Sequence, residues 1–257
     1  MLRYRVIPCL LLHNQGLVKT TKFKDPTYLG DPVNIVRILN DKEVDELVFL
    51  DIATTIEKRK PPIQYISQIA QECFMPLGYG GGIRTLDDVK EILSLGVEKI
   101  IINSYAFENP TFIRKAADMV GSQSIVVSID VKKSFIGKYQ VHTHGGSKNT
   151  RIDPVNHAVN MEKAGAGELL LNSIDCDGMM LGYDLDLIKK VSDAVNIPVV
   201  ACGGASGMTD LVNAVKTGGA AAVAAGSMFV FHGKHRAVLI SYPSRKDIQQ
   251  AFEKLSP

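Results

Sequence analysis

Short apolar runs alternate with amphipathic stretches along the chain. The runs "YRVIPCLL", "ELVFLD", "MPLGYG", "KIIIN", "SIVVSID", "ELLLNS", "IPVVACG" and "AAVAAG" are rich in Val, Ile, Leu and Ala. Such near-continuous runs predict strands buried on both faces, as in a parallel sheet covered by helices. Between them, "DPVNIVRILNDK", "PIQYISQIAQEC", "TLDDVKEILSLG", "PTFIRKAADMVG", "DPVNHAVNMEKAG", "YDLDLIKKVSDAV" and "GMTDLVNAVKTGG" carry helical spacing. Thr85 can cap the third of these, with Asp87 and Asp88 in its first turn and Gly96 at its end.

The pattern also repeats. "MPLGYGGGIRTLDDVKEILSLGVEKIIINSYAF" lies without gaps on "IPVVACGGASGMTDLVNAVKTGGAAAVAAGSMF". Pro76 falls on Pro198, Gly81 and Gly82 on Gly203 and Gly204, Asp88 on Asp210, and Phe107 on Phe229. At the same offset "DELVFLDI" meets "GELLLNSI", pairing Glu46 with Glu168. Two similar halves of four strand–helix units predict a (β/α)8 TIM barrel, with half-barrels of about 1–122 and 123–257 in a single domain. An open doubly wound sheet is the alternative; the equivalence of the halves and the count of eight favour closure.

Composition adds little. The 257 residues suit one such barrel, and a formal net charge of +2 gives no whole-molecule argument for nucleic acid or a membrane. Cys9, Cys73, Cys176 and Cys202 have neither metal-knuckle nor redox-pair spacing and are expected to be reduced, as in a cytoplasmic protein. The apolar part of "MLRYRVIPCLLL" is short and lacks a small-residue cleavage site, so no signal peptide is expected. The histidines of "HTHGG" and "HGKH" lack an evident third ligand, and no metal is expected.

Chemistry in a barrel of this kind sits where strands end and the following loops begin. Strands three and seven end in "GYGGGIR" and "ACGGAS"; strands four and eight end in "NSYAF" and "AGSMF". Glycines there let backbone N–H groups approach an anion, with a helix N-terminus adding positive partial charge. Two phosphate sites are expected, one per half: Gly82, Asn103 and Ser104, then Gly204, Gly226 and Ser227, with Gly178 in a neighbouring loop. Tight strand–helix turns would use the same glycines.

Asp51, Asp130, Asp175 and Asp177 lie at or just past strand ends. An acid at an inward strand end is costly unless paired or working. Asp130 follows an unbroken apolar run and is the first candidate. Asp177, in "DCDGMMLGYD", fits an active-site loop or a turn. Asp51 has Lys58, Arg59 and Lys60 nearby as ion-pair partners. Lys19 lies in a long segment before the first helix, which reads as a lid or as a solvated loop. At the opposite strand ends, Arg5, Glu46, Lys99 and Glu168 can form a charged ring, either a structural plug or a gate.

These motifs resemble the cyclase subunit of imidazole glycerol phosphate synthase, the HisF family, over essentially the whole length. The resemblance is carried by "GDPV" at 30–33, "DELVFLDI" at 45–52, "EKRK" at 57–60, "GGGIR" at 80–84, "VSID" at 127–130, "GAGELLL" at 165–171 and "DGMMLGYDL" at 177–185. It implies a barrel that receives ammonia from a HisH-like glutaminase docked on its floor. It also implies a cyclase–lyase reaction on a bisphosphorylated ribulosyl aminoimidazole carboxamide, without metal or organic cofactor. Arg5, Glu46, Lys99 and Glu168 become the ammonia gate. Asp130, Asp177 and Lys19 become catalytic candidates.

One position departs sharply. The family's strand-one aspartate, partner of Asp130 in acid–base catalysis, falls on Leu11. Leucine moves no proton, and losing general acid–base help costs about 10²–10⁴-fold in rate. Met179 and Met180 replace the polar residues usual after Asp-Gly, and "LLLHNQG" lacks the usual charged pattern. These departures resemble paralogues of bacterial surface-polysaccharide pathways, in which the barrel works with a glutaminase and a sugar amidotransferase to make acetamidino sugars. A histidine-biosynthetic cyclase that tolerates Leu11 is the alternative.

Overall fold

The structure is a computed structural model that describes residues 4–253. Eight parallel strands close into a barrel: β1 (Arg5–His13), β2 (Leu47–Asp51), β3 (Leu77–Gly80), β4 (Lys99–Ile102), β5 (Ile125–Lys133), β6 (Glu168–Ser173), β7 (Val199–Cys202) and β8 (Ala222–Ala225). Pairing runs from β1 through β5, then from β6 back to β1, and β5 to β6 completes the ring. The expected (β/α)8 barrel is thereby observed, and the open sheet is excluded.

Helices cover the outside. Thr85 accepts the backbone N–H of Asp88, and the Asp88 carboxylate returns the bond, a reciprocal cap on helix Leu86–Ser94. Helix Arg245–Glu253 was not foreseen. It buries Ile248 and Phe252, and the Phe252 ring packs on Tyr4 at 5.0 Å.

Strand period explains two separate cores. On β1, Val6, Leu10 and Leu12 face outward into the large strand–helix core. Ile7 and Cys9 face inward to a smaller cluster with Val48, Ile101, Val126, Leu170 and Cys202. Each inward series is graded along the barrel axis. β1 reads Arg5, Ile7, Cys9, Leu11; β4 and its successor read Lys99, Ile101, Asn103; β6 reads Glu168, Leu170, Asn172. Charge stands at the floor, apolar groups fill the middle, and polar groups reach the mouth. At the top, Leu11 and its register partner Leu50 on β2 are apolar.

The long segment after β1 is neither a free lid nor a solvated loop. It is a hairpin of Gly16–Thr21 and Lys24–Gly30, with Leu11 opposite Val18 and Leu12 opposite Leu17 on β1. A second hairpin, Tyr139–Thr143 with Lys148–Asn149, extends β5. No described helix is long and apolar enough to cross a membrane.

Candidate active site

A cavity of about 180 Å³ opens at the C-terminal strand ends. Leu11, Lys19, Asn103, Asp130, Asn172 and Asp177 are among its walls. The inward end of β5 delivers Asp130, which is only 9% exposed. Burial, reinforced by the nearby charge of Asp177, raises its pKa to about 7, against the opposing hydrogen bond from Asn103. A carboxyl group so placed exchanges a proton near neutrality, which general acid–base chemistry requires.

Asn103 holds this carboxylate in place. Its Nδ2 donates to Asp130 Oδ2 and to the Ser128 carbonyl, both at 3.0 Å. The Asn103 amide expected at a phosphate is therefore turned toward the acid. Leu11 lines the same cavity from β1 and brings no titratable atom.

Lys19 and Asp177 meet. Lys19 Nζ lies 2.9 and 3.0 Å from the two Asp177 oxygens, and Thr20 Oγ1 donates to the same carboxylate at 3.2 Å. Lys19 is 6% exposed. The β6 loop is thus stapled to the β1 hairpin, and Lys22 N–H donates to the Asp177 carbonyl at 2.9 Å. Gly178 completes the junction: its φ is +74°, and a Cβ there would stand 2.4 Å from the Thr20 carbonyl oxygen. Its missing side chain serves this contact, and the residue also borders the recess described next.

In the second half, Gly204, Gly226 and Ser227 surround a small recess together with Lys19 and Gly178. A Cβ on Gly226 would meet the Cys9 carbonyl at 2.9 Å and Lys19 Cε at 3.1 Å, so the lysine stem passes over this glycine. Ser227 is 5% exposed, and its Oγ has no hydrogen-bond partner. In the first half, the Gly82 N–H donates to Thr55 Oγ1 at 3.3 Å, and Ser104 Oγ accepts the His144 N–H at 2.9 Å. The one-turn helices Ser104–Glu108 and Ser227–Val230 supply little of the expected helix dipole.

Two acids bind backbone N–H groups. Asp51 Oδ1 accepts the N–H groups of Ala53 and Thr54 at 2.9 and 3.1 Å. The expected ion pair with Lys58, Arg59 or Lys60 is not formed; Arg59 binds Glu57 instead. Asp175 accepts the Lys133 N–H at 2.8 Å, away from the cavity.

At the floor, the four expected charges do form a ring. Arg5 bonds to both Glu46 and Glu168. Lys99 Nζ reaches Glu46 at 2.9 Å and Glu168 at 2.7 Å. Two cations alternate with two anions, so each charge is compensated. Above the ring lies only the apolar inward cluster, then the cavity. Among the described residues, no group of three or more His, Cys, Asp or Glu side chains is placed to hold a metal. Cys9 and Cys202 are buried free thiols on the barrel interior.

Sequence reasoning missed a network at the mouth: Arg84, Tyr105, Glu108 and His144. Arg84 Nη2 donates to Glu108 Oε2 at 2.8 Å, and His144 Nε2 lies 3.3 Å from Glu108 Oε1. These residues come from two loops and the one-turn helix Ser104–Glu108, and nothing in their local sequence marks the meeting. Asn172, whose Oδ1 has no partner, was recoverable from the two-residue period that places it in register with Asp130.

A closed eight-stranded parallel barrel with a charged floor, an apolar interior and a mouth bearing a buried acid defines a (β/α)8 barrel with its candidate site at the C-terminal strand ends. Comparison with known proteins agrees. The family described as "Histidine biosynthesis protein" matches residues 5–236. A *Pseudomonas aeruginosa* protein, provisionally named HisF2 subunit of imidazole glycerol phosphate synthase, is 52% identical over 95% of this chain and 97% of its own. A *Leptospira interrogans* protein with a provisional HisF subunit name is 48% identical over 98% of this chain and all of its own. A *Vibrio vulnificus* protein provisionally named HisF3 is 47% identical over 98% of each chain. The chain belongs to the HisF family.

Proposed function

We propose that this protein is the ammonia-conducting barrel of a glutamine-dependent amidotransferase, with its own cyclase activity weakened or lost. The reading places it in acetamidino-sugar synthesis for a bacterial surface polysaccharide, beside a HisH-like glutaminase and a sugar amidotransferase. Leu11 carries the proposal. It stands on the cavity wall where the family pattern has an acid, while the floor ring that would gate ammonia is complete.

In this mechanism the glutaminase docks under the Arg5–Glu46–Lys99–Glu168 ring. Displacement of Lys99 from its two carboxylates opens the axis. Neutral ammonia then passes the apolar interior, where its protonated form would be disfavoured by desolvation. Lys19, Asp177 and the recess at Gly204, Gly226 and Ser227 hold a phosphorylated small molecule. Asp130, steadied by Asn103, accepts or returns a proton at the mouth.

A second reading has its own support: Asp130 keeps a pKa of about 7 and its Asn103 contact. On that reading the chain is a working cyclase of histidine biosynthesis. Expression in a bacterial strain lacking its cyclase subunit separates the two. The amidotransferase reading expects no growth without histidine; growth would overturn it in favour of the cyclase.

A further inference from the structure

The hairpin that extends β5 carries a feature that neither the barrel core nor the cavity uses. Phe135 and Ile136 stand at its tip, Phe135 fully exposed and Ile136 74% exposed, and neither lines the cavity. Full exposure forgoes the burial free energy of two large apolar side chains. In sequence they sit within "VKKSFIGKYQ", and Lys132, Lys133 and Lys138 are exposed around them. The tip continues β5 beyond Asp130, so it stands on the mouth side of the barrel.

The tip cannot fold back to hide these side chains. Val131, Lys132 and Lys133 pair with Val141, Gln140 and Tyr139. The Ser134 N–H donates to the Lys138 carbonyl at 2.7 Å, the Gly137 N–H to the Ser134 carbonyl at 2.8 Å, and the Lys138 N–H to Ser134 Oγ at 3.1 Å. Gly137, with a φ of +78°, takes the left-handed turn position. At the base, Lys133 Nζ reaches Asp184 at 3.1 Å and lies 4.9 Å from the centroid of the Tyr139 ring. The closed turn and the anchored base hold Phe135 and Ile136 outward.

Charge around the tip has one sign. From residue 131 to residue 152 the chain carries Lys132, Lys133, Lys138, Lys148 and Arg151 and no Asp or Glu. Among the described residues, Lys133 alone of these five forms an ion pair. The whole-chain charge of +2 hides this local excess. A basic collar around a convex apolar tip complements an anionic lipid surface: ammonium groups meet phosphate headgroups, and apolar side chains enter the acyl boundary. A protein interface of standard size needs about 800 Å² per partner, far more than two side chains at a hairpin turn present.

We infer that the turn at 134–138 is a peripheral membrane-docking tip: Phe135 and Ile136 enter the headgroup region of an anionic bilayer, and Lys132 and Lys138 meet its phosphates. Lys148 and Arg151 add to the local positive potential. The barrel then turns its mouth side to the lipid, and the floor ring faces away from it. The inference is independent of which reaction the cavity performs.

The test is flotation of the whole chain with vesicles, either of phosphatidylcholine alone or with about one-quarter phosphatidylglycerol. Partition onto the mixed vesicles is expected to be at least about tenfold stronger than onto the neutral ones. It should fall as salt is raised from about 0.1 to about 0.5 M. Phe135→Ser combined with Ile136→Ser should lower it at least about tenfold, and Lys132→Gln combined with Lys138→Gln at least about fivefold. Phe74, also exposed, lies on the floor side between helix Ile63–Glu72 and β3, and Phe74→Ser should leave partition within about twofold. All these side chains are exposed, so the variants keep the fold, which thermal melting checks. The chain has no Trp, so Phe135→Trp supplies a lone fluorophore whose emission should shift to the blue on mixed vesicles. Absent partition, equal partition onto the two vesicle types, unchanged partition in the Phe135→Ser and Ile136→Ser variant, an equal loss in Phe74→Ser, or a Trp emission that does not move would each overturn the inference.

Discussion

Leu11 and Asp130 face the same cavity from opposite sides of the ring, on β1 and β5, four strands apart in a closed set of eight. One side chain exchanges protons near neutral pH and the other exchanges none. The asymmetry leaves Asp130 without an acid opposite it on β1, and its buried place in the cavity has a stability consequence as well as a chemical one.

Asp130 titrates at about 7 in the folded protein, above its ordinary value of 3.8. The folded state therefore holds the proton more tightly than the unfolded chain. Stability is full below the ordinary carboxylate range and falls as pH rises toward 7. Asp130→Asn should match the parent near pH 4 and exceed it at pH 8 by roughly 2–4 kcal/mol, while abolishing proton transfer at the mouth. Urea unfolding at the two pH values reads this directly; a variant less stable at pH 8 would contradict it.

His157 behaves in the opposite sense. Burial lowers its pKa from 6.5 to about 4, and its ring packs on Phe107 at 6.0 Å. The unfolded chain binds the proton first, so this contribution is complete above the ordinary histidine pKa and is lost as pH falls from about 6.5 to 4. His157→Phe should flatten that acid limb by up to about 3 kcal/mol. An unchanged limb in the variant would place the acid sensitivity elsewhere.

The Lys19–Asp177 staple joins two loops through buried charges. Lys19→Met leaves Asp177 buried without its cation, a loss of about 3–5 kcal/mol for pairs of this kind. The double variant Lys19→Met with Asp177→Asn should recover part of it. Hydrogen exchange should rise at Gly16–Thr21 and around Gly178 in the single variant. Protection unchanged in both segments would show that the staple does not hold the hairpin.

The floor ring has a comparable signature. Lys99→Met leaves Glu46 and Glu168 sharing only Arg5, and should destabilise by about 2–4 kcal/mol. A further Glu46→Gln change should restore part of that. Additive losses in the double variant would deny the coupling that the ring geometry demands.

Much of this was legible in the sequence because the barrel writes itself twice. The Gly81-Gly82 and Gly203-Gly204 match, with the eight apolar runs, led to the closed fold, and their place at the starts of strands led to Arg5, Glu46, Lys99 and Glu168 on one floor. Asp130 stood out at the end of an apolar run. Asp51 and Asp175 looked alike in sequence and proved to hold backbone: Asp51 accepts N–H groups two and three residues on, a local bond, whereas Asp175 accepts the Lys133 N–H from the neighbouring strand, which the sequence does not reveal. Asn103 bonds sideways to Asp130, a relation between neighbouring strands that no single strand reveals. The Arg84–Glu108–His144 network depends on how two loops fold over the mouth against the helix Ser104–Glu108, and loop paths leave little trace in periodicity.

Cyclase turnover is the most direct test of the central claim. The purified chain and its Leu11→Asp variant would each receive ammonium salt and the bisphosphorylated imidazole precursor, without any partner. Silence in the unmodified chain is expected, with turnover in the variant if the rest of the site can still seat that precursor. Turnover by the unmodified chain would contradict the amidotransferase reading and return the protein to histidine biosynthesis.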